Sequence, residues 1–137
     1  MVEIKNIFEK EGVSKFLISG IDTAMINSLR RTIMSSVPTL AIEKVSIYEN
    51  SSAMPDEMLG HRLGMLPITT EKKSPKGESL KLVLEKEGPC TVYSKDIKST
   101  DPKLEIADKK VPLVKLKKGQ KIMIEMEAVM GTGKEHA

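Results

Sequence analysis

"DTAMINSLRRTIMSSVPTLAIEKVSIY", residues 22–48, changes its hydrophobic period once, and that change decides the fold class. Over residues 23 to 36 the period is helical. Met25 or Ile26, Leu29, Ile33 and Val37 fall at three-to-four spacing and line one face. Asp22 stands just ahead of them, where its carboxylate accepts from the orphan amides of a first turn. Val37-Pro38 ends the helix, because the residue before a proline is pushed out of the helical region. From residue 39 the period drops to two, the spacing of a strand with one face inward. Leu40 and Ile42 alternate, then Val45 and Ile47. Their parity changes at Glu43–Lys44, which predicts a bulge. A long helix running straight into a strand, with strands on both sides, predicts an α+β fold.

Upstream, "VEIKNIF" (residues 2–8) reads as a strand with a slip near its end, "EKEG" (9–12) as a turn and "VSKFLIS" (13–19) as a second strand, together a hairpin. Downstream, "ENSS" (49–52) is a polar turn and the expected domain boundary. "AMPDEMLGHRLGML" (53–66) predicts a short helix. Pro55 suits its first position, Met58, Leu59, Arg62 and Leu63 share a spacing, and Gly64 suits its C-terminal glycine. "PITTEKKSPKGES" (67–79) is a loop.

The remainder reads as all-β. "SLKLVLEKEG" places Leu80, Leu82 and Leu84 on one face, and "CTVYSKDI" (90–97) is another short strand. Residues 98–110 are mostly loop. "VPLVKL" and "QKIMIEMEAV" flank Lys117–Gly119 as a Lys-bordered hairpin. Ile122, Ile124, Met126 and Ala128 form the inward face of the last strand.

Composition narrows the function. The net charge of +3 is small, and most lysines interleave with acids, which describes solvated faces better than a nucleic-acid stripe. Aromatics are only 3%, too few for base-stacking platforms. The core is therefore aliphatic, with nine Met, a residue that also suits adaptable interfaces. Cys90 is the one cysteine, so no intrachain disulfide or multi-cysteine metal site is available. With no charged-then-apolar leader and no apolar run of membrane-spanning length, the expectation is a cytoplasmic protein with no membrane contact.

Three places invite chemistry. His61 has His136 as its one fellow histidine, so a metal site lacks ligands; as a base it lacks a nucleophile. A hydrogen-bonded structural or interface histidine is the better reading. "GTGKEHA" (131–137) lacks the spacing and the following helix of a phosphate-gripping loop. Arg30 and Arg31 point about 100° apart on a helix. From spacing alone they read equally as two solvated charges, or as one that pairs locally and one that projects outward, where arginine suits an interface anchor.

The ordered set "NSLRRTIMSSVPTLAIEKVSIYENSS", "PDEMLGHRLGMLPI", "GPCTVYSKDI" and "MGTGKEHA" closely resembles one family of archaeal RNA polymerase subunits. It is the archaeal family similar to the eukaryotic third-largest polymerase subunit and, more distantly, to the bacterial alpha subunit's N-terminal domain. The resemblance covers essentially the whole chain. It implies a non-catalytic assembly scaffold. Residues 1–50 would be the first half of a discontinuous dimerisation domain, and residues 51–137 a mostly β insert domain, incomplete at its C-terminal end. The implied partners are an alpha-like small subunit (L), the second-largest catalytic subunit and the small subunits N and P. A second chain completing the fold is a further possibility, and DNA is met only through the assembled complex. By position, Asn27, Leu29, Arg30, Arg31 and Ile33 match the family's helix motif. Arg31 would contact the large subunit, while Leu29 and Ile33 would pack at the dimer core. His61, Arg62 and Gly64 match its "HRLG" turn, taken as partner-facing. Many family members carry an iron–sulfur cluster in a segment not present here. One cysteine cannot hold such a cluster, so no cofactor is expected in this chain.

Two other readings stand beside the scaffold. One is an independent nucleic-acid binder using residues 72–76 and 109–121. The other is a small enzyme built on His61. The scaffold reading makes one direct structural demand: the helix carrying Leu29 and Ile33 must show an uncovered apolar face, because one helix over a few strands is a thin core.

Overall fold

The computed structural model describes residues 1–70 and 77–135, and those residues form two compact units, divided after Val37. The fold is α+β, and the described residues form antiparallel sheets and two α-helices.

The first unit is a hairpin and a helix. Strands β1 (Glu3–Lys10) and β2 (Val13–Ser19) pair antiparallel. The predicted slip is a register shift between Asn6 and Phe8. The turn is tighter than the four residues expected. Lys10 pairs with Val13, leaving Glu11 and Gly12 as a two-residue loop, both at positive φ. That backbone matches the right-handed twist of the strands, so pairing runs to the very end of β1. Helix α1 (Thr23–Ser36) starts and stops where predicted. Asp22 caps it by accepting from the Met25 amide at 2.8 Å, and Val37 leaves it in an extended conformation. Not one residue of this unit is buried. Leu29 and Ile33 are 43% and 59% exposed, and Met25, Ile4, Phe8, Phe16 and Leu17 are exposed as well.

The second unit holds the core. Strand β3 (Thr39–Asn50) belongs here by its contacts, and it runs two residues further than predicted, through Glu49 and Asn50. The bulge expected at Glu43–Lys44 is present as a shift between Ile42 and Lys44, and a second shift falls between Ile47 and Glu49. Helix α2 (Asp56–Gly64) follows, then β4 (Leu80–Glu87), β5 (Cys90–Tyr93), β6 (Lys98–Ser99), β7 (Pro112–Leu116) and β8 (Lys121–Gly131). A four-stranded sheet has the order β3-β8-β4-β6, and β5 pairs with β7 separately. The last strand in sequence is thus an inner one. Its predicted inward residues, Ile122, Ile124, Met126 and Ala128, are all fully buried. Leu82 and Leu84 join them from β4, Leu40 and Ile42 from β3, and Leu59 and Leu63 from α2.

Two expectations need correction. Residues 111–129 are not a hairpin. Lys117–Gln120 is a turn, but β7 goes to β5 while β8 goes to β3 and β4. The alternation in each strand is readable locally; which sheet each strand enters is a long-range choice. "CTVYSKDI" is a strand only to Tyr93. Ser94–Asp96 is a single 3-10 turn, whose buried Ser94 hydroxyl donates to the Asp108 carbonyl and accepts from the Val111 amide at 3.2 Å. Residues 98–110 are mostly loop, as expected, and that loop carries Leu104 and Ile106 into the core, where Ile106 bridges to Ile68. One glycine explains how β4 turns into β5. A Cβ on Gly88 would overlap the Lys117 carbonyl oxygen, so only glycine permits that approach.

Two consequences are measurable. Ile124 is fully buried on the inner strand, paired with Ile47 on one side and Leu84 on the other. Ile124→Ala should destabilise the second unit by about 2–5 kcal/mol in denaturant titration, since a rigid sheet collapses poorly onto the cavity. Asp96 gives a pH dependence. Burial raises its carboxyl, but the Tyr93 amide and the Lys86 ammonium, at 2.9 and 3.2 Å, outweigh that and hold it below the ordinary carboxylate value. The resulting stability is present above pH about 4 and lost as pH falls through the lowered value. Asp96→Asn should therefore lower stability at neutral pH and flatten the acid limb of the unfolding curve.

Candidate partner-binding surface

Helix α1 presents two chemically different faces. Successive residues advance by about 100°, so Arg31 lies about 160° from both Leu29 and Ile33. One face is aliphatic and open to water. The other carries Arg31 and, nearby, Asn27. The two arginines divide as their geometry predicts. Arg30 is engaged along its own helix: its Nη2 donates to Asn27 Oδ1 at 2.9 Å, and its Nη1 approaches Met34 Sδ at 3.5 Å. Among the described residues Arg31 has no side-chain hydrogen bond or ion pair, and its guanidinium projects with its directed donors unspent. Asn27 is thereby held in place by Arg30 as much as offered outward.

Helix α2 presents a smaller surface. Leu59 and Leu63 are buried against the sheet, leaving Met58 and His61 exposed. His61 makes no hydrogen bond among the described residues. Arg62 does: its Nη2 donates to the Pro112 carbonyl and ties the last turn of α2 to β7. Its task in this chain is to anchor, at least through one of its nitrogens. Acidic Asp56 and Glu57 stand in the first turn and His61 and Arg62 in the last, the arrangement the helix dipole favours.

Gly64 does not serve as a left-handed cap, and Pro55 is not inside the helix. Gly64 is the last helical residue, and Met65 continues right-handed, with its amide on the Arg62 carbonyl at 3.3 Å. Pro55 is the residue before the first turn, in extended conformation. Both corrections shift a boundary by one residue and leave the helix where it is predicted.

The "ENSS" stretch is a dense junction, more than the polar turn its composition predicts. The Asn50 amide nitrogen donates to the Met54 carbonyl and to Asp56 Oδ1, at 2.9 and 2.7 Å. Its oxygen accepts from the Ser52 amide and hydroxyl. Ser51 exchanges hydrogen bonds with the backbone of Lys121. An Asn followed by Ser-Ser ahead of a Pro-started helix is the available signal, since such side chains hydrogen-bond to nearby backbone.

The other functional readings find little here. Among the described residues no three His, Cys, Asp or Glu converge on a point, and a single thiol does not fit an iron–sulfur cluster. His136 and residues 72–76 lie outside the described residues. In the 109–121 stretch, Lys109 pairs with Glu105 and Lys121 with Glu85, while Lys110, Lys115, Lys117 and Lys118 are exposed and form no ion pair among the described residues. No described helix is long and apolar enough to cross a membrane.

Comparison with known proteins shows the family. The profile of the RNA polymerase Rpb3/RpoA insert domain matches residues 45–137. The DNA-directed RNA polymerase subunit Rpo3 of Methanocaldococcus jannaschii is 57% identical over 111 residues, covering 81% of this chain and 56% of that protein. Rpo3 of Halobacterium salinarum is 46% identical over 124 residues, 90% of this chain and 50% of that protein. Rpo3 of Thermococcus kodakarensis is 42% identical, covering all of this chain and 56% of that protein. The chain thus spans about half the length of the curated relatives it matches. A strand-rich second unit that aligns with one domain profile from within its first strand onward leads to one conclusion: the chain belongs to the RNA polymerase Rpb3/RpoA insert-domain family.

Proposed function

We propose that this chain is a non-catalytic assembly scaffold of DNA-directed RNA polymerase. It pairs with an alpha-like small subunit and docks the second-largest catalytic subunit, with small subunits N and P joining the same platform. It works in the cytoplasm, and it meets DNA only through the assembled complex. The observation that carries this reading is the two-faced, wholly unburied helix α1. Its Leu29–Ile33 face is the dimer surface, and the opposite face, led by Arg31, is the large-subunit surface. The exposed His61 side of α2 is a second docking element for the large subunit.

Magnitudes support a pairing that uses the hairpin as well as the helix. Covering Met25, Leu29 and Ile33 yields about 1.5–3 kcal/mol each at best. Association costs about 4–15 kcal/mol in lost freedom and ordering. The helix alone offers little surplus. On the hairpin, exposed Ile4 and Phe16 share one face and Phe8 and Leu17 the other, so either face adds two apolar side chains to the surface available to a partner.

The two faces predict separable defects. Leu29→Asp with Ile33→Asp should abolish co-purification with the alpha-like subunit. Arg31→Ala should keep that pairing and weaken capture of the second-largest subunit by about 2 kcal/mol or more, the range of an interface anchor. Loss of pairing in Arg31→Ala would contradict the assignment of faces.

A further inference from the structure

We infer that Asn50 is a positioning residue for docking: it sets the attitude of α2, and so of the surface that α2 offers. This rests on the docking role given to α2 above. Four observations converge on it.

First, α2 has no side-chain cap. Pro55 precedes it and makes no capping hydrogen bond, so the helix start is not held by the usual means. Second, Asn50 supplies the missing restraint from outside the helix. A primary amide has two donor hydrogens and two acceptor lone pairs. Asn50 spends both hydrogens on Met54 O and Asp56 Oδ1, which lie on either side of Pro55, and its oxygen takes two bonds from Ser52. Third, the clasp is welded to the sheet. Asn50 pairs with Ile122 in the β3–β8 ladder, and its neighbour Ser51 donates to the Lys121 carbonyl and accepts the Lys121 amide at 2.7 Å. Fourth, the far end of α2 is pinned independently, by Arg62 on Pro112. With both ends tied and Leu59 and Leu63 buried, the exposed Met58 and His61 are presented in one orientation. Pre-ordering of that kind lowers the entropy lost on binding.

The test uses the full chain in complex with its alpha-like subunit, with the second-largest polymerase subunit as probe. Asn50→Ala should speed amide exchange in the first turn of α2 while leaving β8 protected. It should also weaken capture of the probe by about tenfold. Asn50→Asp keeps the acceptor but sets a carboxylate against Asp56, and should be at least as defective. Adding Asp56→Asn returns a donor to that pair, though not to the Met54 carbonyl, and should restore exchange and capture in part. Ser94→Ala, which removes a buried hydroxyl elsewhere in the same unit, serves as a control: it should lower the melting temperature and leave capture unchanged. Normal capture by Asn50→Ala, or a loss matched by Ser94→Ala, would overturn the positioning role. His61→Ala separates this from failure of the underlying reading. If it leaves capture intact, α2 is not a docking element, and the inference falls with that reading.

Discussion

One constraint governs this molecule: an aliphatic helix face cannot stay in water when the antiparallel hairpin that precedes it offers no core to receive it. In the first unit Leu29 and Ile33 are turned outward, and no residue from 1 to 37 is buried. In the second unit the opposite holds. The alternating residues of β8 are fully buried between α2 and the neighbouring strands. The same chain therefore contains a unit that closes its own core and a unit that leaves its apolar surface for something else. Conformational entropy alone makes the second kind expensive to keep folded in isolation.

The contrast divides the labour in the proposed function. The self-sufficient unit supplies a rigid platform. Its strands are staggered by two bulges in β3, and its one exposed helix is tied at both ends. The first unit supplies the surface through which association completes the fold. In that proposal Arg31, opposite the apolar face, would let the same helix address a second partner without competing for the first. Specificity would come from the directed donors of that guanidinium, and much of the affinity from the apolar face.

The elements that are legible in the sequence are those with a local cause. Asp22 capping α1, Pro38 ending it, the parity change near Glu43 and the period-two run of β8 each depend on residues within a few positions of one another. Arg30 and Arg31 separate as their 100° offset requires. What is not legible depends on distant partners. Nothing near residues 111–116 says that β7 pairs with β5 and not with β8. Ser94 looks like any surface serine until Asp108 and Val111 arrive beside it. That Arg62 gives one of its donors to Pro112, fifty residues on, is equally invisible in the sequence. The site shows the same split. The two-faced helix can be drawn from spacing alone, whereas the Asn50 junction emerges only when strand and helix are seen together.

Amide hydrogen exchange across α1 tests the central claim most directly. In the isolated chain at low concentration, the amides of residues 26–36 should exchange orders of magnitude faster than those of β8, and they should become protected on addition of an alpha-like subunit. Slow exchange along α1 in a monodisperse, unpartnered chain would contradict the account, because it would mean that the helix already has all the cover it needs.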